Sequence, residues 1–127
     1  MSHHDKPLTL LGDLTPADFL ANYWQQKPLL IRGAIPDFVS PIDPDELAGL
    51  ACEPGVEARL VEEKGPDGPW QVSHGPFDDA TFERLPEGHW SLLVQAVDHY
   101  VPSIAALMDE FDFLPRWRLD DIMVSYA

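Results

Sequence analysis

Residues 119–127 read L-D-D-I-M-V-S-Y-A. Ile122, Val124 and Tyr126 alternate with Asp121, Met123, Ser125 and Ala127. Side chains two apart share one face of a strand, so this spacing predicts a strand with one apolar face and one mixed face. The chain stops inside that strand with no turn after it, which raises the expectation that the sequence is a piece of a longer protein.

Working backwards, Pro102 suits the first position of a helix that places Ile104, Leu107, Met108 and Phe111 at helical spacing, and Phe113-Leu114-Pro115 ends it. Trp90 to Val97 is a nearly continuous apolar run of strand length. Val56 to Val61 and Trp70 to Val72 are two further strand candidates, and Lys64-Gly65-Pro66-Asp67-Gly68-Pro69 between them has the composition of a turn. Leu29-Leu30-Ile31 reads as a short buried strand closed by Gly33.

Three helix starts share one grammar. Thr15-Pro16-Ala17-Asp18 offers an N-cap, a proline at the first position and a carboxylate near free backbone N–H groups, with Leu14 and Phe19 placed as a hydrophobic staple. This helix presents Phe19, Leu20, Tyr23 and Trp24 on one face and is expected to run until Lys27-Pro28. Ile42-Asp43-Pro44-Asp45-Glu46-Leu47 repeats the pattern, with Glu46 completing a capping box. Phe77-Asp78 with Phe82 is the third. Helices and strands without regular βα alternation predict an α+β fold.

The 127 residues suffice for one ordinary domain, and 45% of them are apolar, so the composition supports a packed core. Acidic side chains outnumber basic ones 22 to 8, giving a formal charge of −14. Such a field repels phosphate backbones and argues against direct nucleic-acid binding, while favouring a basic partner. The lone Cys52 cannot form an internal disulfide, which fits a reducing compartment. Met1 to Pro7 is polar and lacks the apolar segment of a signal peptide; it reads as a disordered tail. No apolar run reaches the roughly 20 residues of a membrane span. A cytoplasmic protein is the expectation.

No complete active site emerges from spacing. His3-His4-Asp5 matches His-x-Asp literally, but a chain terminus is a poor scaffold for fixed ligand geometry. His74, His89 and His99 are isolated; His74 reads as a loop or strand-end residue and His99 as a surface residue at a helix entry. The pairs Asp78-Asp79, Asp109-Glu110 and Asp120-Asp121 read as solvated surface and helix caps. Cys52 follows a helix and reads as a small buried hydrophobe. There is no Gly-x-Ser-x-Gly elbow and no phosphate-binding glycine loop.

Longer stretches carry more. F-L-A-N-Y-W-Q-Q-K-P-L-L-I-R-G-A-I-P-D-F (19–38), W-Q-V-S-H-G-P-F (70–77), W-S-L-L-V-Q-A-V (90–97) and L-P-R-W-R-L-D-D-I-M-V-S-Y-A (114–127) resemble, in order, the opening of the JmjC/cupin-type ribosomal oxygenases. The resemblance leans towards bacterial members that hydroxylate an arginine of a large-subunit ribosomal protein. It implies the N-terminal part of a double-stranded β-helix with flanking helices, truncated before the metal-binding strands, so that residues 1–127 form the N-terminal portion of an oxygenase domain. It implies Fe(II) and 2-oxoglutarate as cofactor and cosubstrate, with the iron ligands and catalytic residues beyond Ala127 and no metal ligand within the chain. Ser125 matches a serine that contacts 2-oxoglutarate, on what would be the inner face of the β-helix; as structure alone, it is a small residue tolerated inside a barrel. A basic ribosomal protein is the implied substrate, and a homodimer of the full-length protein is left open. Alone, the chain is expected to be inactive, and its last strand to leave an uncovered edge that favours self-association. Competing readings are an acidic, non-catalytic protein-binding module, a histidine-directed hydroxylase of the same group, and a non-oxygenase cupin.

Overall fold

The strand patterns pair into one sheet. In the computed structural model, which describes residues 6–127, β1 (Ala58–Glu63), β2 (Trp70–His74), β3 (Trp90–Val94) and β4 (Val124–Tyr126) form an antiparallel sheet in the order β2-β1-β3-β4. The fold is α+β. Register places Leu60 opposite Ser73 on one side and Leu92 on the other, and Val94 opposite Val124. Ala58, Leu60, Leu92 and Val94 therefore share one face, which is buried.

The chain divides into two compact units. One comprises Pro41–Met108 and Asp120–Ala127, the other the described residues up to Ser40 together with Asp109–Leu119.

The sheet belongs to the first of these. Its core adds Ile42 just before α2 (Pro44–Ala51), Leu47 and Ala51 within it, Val56, Val97, and Ile104 from the Pro102–Met108 helix. Both anticipated caps in this unit form. Asp43 accepts the Glu46 N–H at 2.7 Å, and Asp78, at the start of α3 (Asp79–Glu83), accepts the Thr81 N–H at 2.9 Å. The Phe77 and Phe82 rings meet edge to face at 5.9 Å. After β3, Ala96 adopts a left-handed φ of 54° and the chain enters a 3-10 turn, Val97–His99. The expected strand over 90–97 thus ends at Val94. Helix α4 (Pro102–Met108) also ends earlier than its apolar spacing suggests, giving way to a 3-10 turn at Asp109–Phe111.

In the other unit, α1 (Pro16–Asn22) begins as expected, with Thr15 accepting the Asp18 N–H at 3.1 Å. It stops at Asn22 rather than at Lys27, because Gln25 takes a φ of 60°, outside the helical region. Phe19 stacks on Tyr23 and meets the Trp24 and Phe113 rings edge-on at about 6 Å, and Phe113 is buried. Leu29-Leu30-Ile31 is not a strand. No segment among the described residues pairs with it, and Leu30 is 77% exposed.

Candidate functional site

The residue singled out for cosubstrate contact, Ser125, lies in the middle of β4, opposite Leu93 of β3. Strand alternation separates it from the core. Val124 packs against the buried cluster, whereas Ser125 is on the opposite sheet face and exposed. That face also carries Leu93 and Ser91 of β3, Val61 of β1, and Val72 and Trp70 of β2. It is open on β2, where Trp70 is 65% exposed.

What fixes β4 is a pair of contacts just before it. Val97 donates its N–H to the Ile122 carbonyl at 2.9 Å, and Ile122 donates its own N–H to the Asp98 carboxylate at 2.9 Å. Ile122 and Val124 pack on the core, while Met123 and Tyr126 stay partly open. The anticipated uncovered apolar strand is thus covered on one face only. Tyr126 meets Trp90 across the sheet at 5.7 Å between ring centroids.

A concavity of about 300 Å³ lies between β2, β1 and α3 on the core side of the sheet. Leu60, Phe77 and Leu85 form its apolar part, and Glu62, Ser73 and Arg84 supply polar groups.

The remaining candidates do not converge. His74 ends β2 and is exposed, His89 sits 3.4 Å from Glu63, and His99 is a surface residue of the 3-10 turn. His3, His4 and Asp5 lie outside the described residues. Among the described residues, no group of three or more His, Cys, Asp or Glu side chains is placed to hold a metal ion, so these residues do not by themselves fit an iron site. Cys52 caps α2 half-buried; desolvation, then the Asp79, Asp78 and Glu53 carboxylates, raise its thiol above the usual range and disfavour the reactive thiolate. No helix among the described residues is long and apolar enough to cross a membrane.

The signal missed in the sequence is one of charge placement. The sheet-bearing unit holds fifteen of the 22 acidic side chains and three of the 8 basic ones, so nearly all of the −14 charge resides there. Counting charges per segment would have found it, had the division of the chain been known.

Comparison with known proteins places this geometry. No family model matches the chain. It is 51% identical over 110 residues to the ribosomal protein uL16 3-hydroxylase of Escherichia coli, a match covering 87% of this chain and 28% of that protein. It is 43% identical over 114 residues to a Haemophilus influenzae protein named "Probable ribosomal oxygenase", covering 90% of this chain and again 28% of the relative. The solved structure of the E. coli ribosomal oxygenase YcfD with cobalt and 2-oxoglutarate superposes with a TM-score of 0.83 at 50% identity, over 90% of this chain and 30% of that one. The same oxygenase in complex with cobalt and succinic acid superposes equally well, with a TM-score of 0.83. The chain thus spans 28% of the length of these relatives, and over that span, in sequence and in fold alike, it is a close homologue of the ribosomal oxygenases.

Proposed function

We propose that this chain forms the N-terminal portion of an Fe(II)- and 2-oxoglutarate-dependent dioxygenase domain that hydroxylates an arginine side chain of a large-subunit ribosomal protein. One observation carries the reading: half of the aligned residues are shared with a uL16 hydroxylase, and the backbone follows an oxygenase structure holding cobalt and 2-oxoglutarate. Iron with 2-oxoglutarate supplies oxygen activation coupled to decarboxylation. In this reading its ligands lie beyond Ala127, so this portion would contribute support and positioning rather than chemistry and would be inactive alone.

Within that reading Ser125 is the cosubstrate contact. Its hydroxyl stands on the open sheet face, free of the core, where it can donate to a carboxylate oxygen of 2-oxoglutarate. The charge has a use as well. A unit carrying fifteen carboxylates raises the local concentration of a Lys/Arg-rich ribosomal protein and repels bare phosphate backbones. The reading is of a cytoplasmic enzyme, where ribosomal proteins are met.

The test is to follow the reading frame past Ala127, express the protein it encodes, and supply Fe(II), 2-oxoglutarate and uL16. Mass gain of one oxygen atom on an arginine, with succinate formed, is the expected result. Gain on a histidine instead would make this a histidine hydroxylase of the same group. No turnover, with retained binding of uL16, would favour the acidic protein-binding module, the second reading that the charge placement supports.

A further inference from the structure

The strand that carries Ser125 is held beyond the point where its neighbour leaves the sheet. Gln95 donates its N–H to the Glu57 carbonyl at 2.9 Å and so faces β1. Backbone groups alternate sides along a strand, so Val94 and Ala96 face β4 instead. Val94 is paired with Val124, and the same register would pair Ala96 with Ile122. Ala96 does not take that place. Its left-handed φ of 54° turns the chain off the sheet, and its carbonyl accepts the His99 N–H at 3.0 Å within the 3-10 turn. The next two residues supply the missing pair. The Val97 N–H meets the Ile122 carbonyl, and Oδ1 of Asp98 meets the Ile122 N–H, each at 2.9 Å. A carboxylate thus stands in for a strand carbonyl, in a bulge of the kind that re-aims neighbouring side chains. Oδ2 of the same group lies 3.7 Å from His99 Nε2, and the side chain is almost fully enclosed.

We infer that Asp98 is a positioning residue for 2-oxoglutarate: it fixes the approach of β4 and thereby aims the Ser125 hydroxyl, without touching the cosubstrate itself. The inference rests on the reading of Ser125 as the cosubstrate contact and adds the residue that holds it in place. β4 is three residues long, and β3 is its only strand neighbour among the described residues. The pairs Val94–Val124 and Leu92–Tyr126 flank Ser125, and the Asp98 contact is the next rung along. The nearby contact from Gln95 Nε2 to Asp121 Oδ2, at 3.5 Å, is too long to replace it. Without the Ile122 anchor the strand frays from its leading end. Displacing a positioned group by on the order of 1 Å is enough to weaken what it binds.

The longer protein encoded past Ala127 tests this, through steady-state kinetics and anaerobic calorimetric titration of 2-oxoglutarate into the Fe(II)-loaded protein. Asp98→Ala should raise the KM and the Kd for 2-oxoglutarate by about three- to tenfold, with kcat less changed. Asp98→Asn keeps an acceptor oxygen and should stay within about twofold of the parent. Combined with Ser125→Ala, Asp98→Ala should add no further loss, because it acts through that hydroxyl. Should Asp98→Ala fail to fold, Asp98→Ser shortens the acceptor while keeping a polar group, and should move KM in the same direction. A fall in kcat with unchanged KM and Kd overturns the inference, since a merely structural role would do that. So does an Asp98→Asn variant as impaired as Asp98→Ala, or a full additional loss on the Ser125→Ala background. If Ser125→Ala raises KM and Asp98→Ala does not, the inference alone falls. If Ser125→Ala leaves KM and Kd unchanged, the reading of Ser125 falls and takes the inference with it.

Discussion

The Asp98 carboxylate accepts the backbone N–H of Ile122 at 2.9 Å, across 24 residues of chain, from a side chain that is only 7% exposed. This contact joins the 3-10 turn after β3 to the approach of β4, and so sets where Ser125 stands. Asp98→Ala leaves the Ile122 N–H without its partner in a half-buried setting, and should cost about 1–3 kcal/mol of stability. Urea denaturation would measure it; faster amide exchange at Ile122 and Val124 should accompany the loss.

Glu46 should make stability fall as pH rises. Its carboxyl is held above the usual range, first by a side-chain hydrogen bond with Asp43 and then by that residue's charge. A raised folded-state pKa means that the native chain holds this proton more tightly than the unfolded chain does. The contribution is present below the unfolded pKa and is lost as pH rises through the folded one. Glu46→Gln keeps a capping-box partner for the start of α2 and cannot ionise. The variant should melt higher than the parent at neutral pH, and the advantage should vanish in acid. An equal shift at both pH values would contradict this origin.

Leu60 is the central side chain of the buried sheet face, 1% exposed, between Ser73 and Leu92. Leu60→Ala should cost about 2–5 kcal/mol, from lost burial and the cavity left behind. An effect under about 1 kcal/mol in chemical denaturation would mean that the core around β1 repacks freely.

Gly68 closes the turn between β1 and β2. A Cβ at this position would collide with the Lys64 carbonyl oxygen, a backbone atom that cannot swing aside. Gly68→Ala should therefore open the hairpin and destabilise the chain by about 1–3 kcal/mol. The expected signature in amide exchange is loss of protection at Gln71 and Ser73, whose N–H groups face β1, with β3 and β4 less affected.

Ser125→Ala separates binding from folding. Because Ser125 is exposed on β4, the substitution should change stability by no more than about 0.5 kcal/mol. In the longer oxygenase proposed above, loss of one hydroxyl contact should raise the KM for 2-oxoglutarate by up to about tenfold with kcat less changed. A fall in kcat with an unchanged KM would remove Ser125 from the cosubstrate site.

The sequence by itself determined what depends on near neighbours. Thr15, Asp43 and Asp78 each cap a helix by accepting an N–H three residues on, an interaction settled within one turn of chain. The turn at 64–69 and the two-faced alternation over 122–126 were legible for the same reason, and the longer stretches carried the likeness to ribosomal oxygenases. The candidate site was legible only as a position, Ser125, on one face of a strand. Tertiary structure decided what depends on partners distant in sequence. Leu29-Leu30-Ile31 has a strand's composition but finds no strand to pair with, and an apolar run becomes a strand only when its backbone groups are met. The order β2-β1-β3-β4, which leaves β2 at an edge, and the collection of most acidic side chains into one unit follow from which segments pack together. Neither is encoded in a local spacing, because each arises from contacts between residues tens of positions apart.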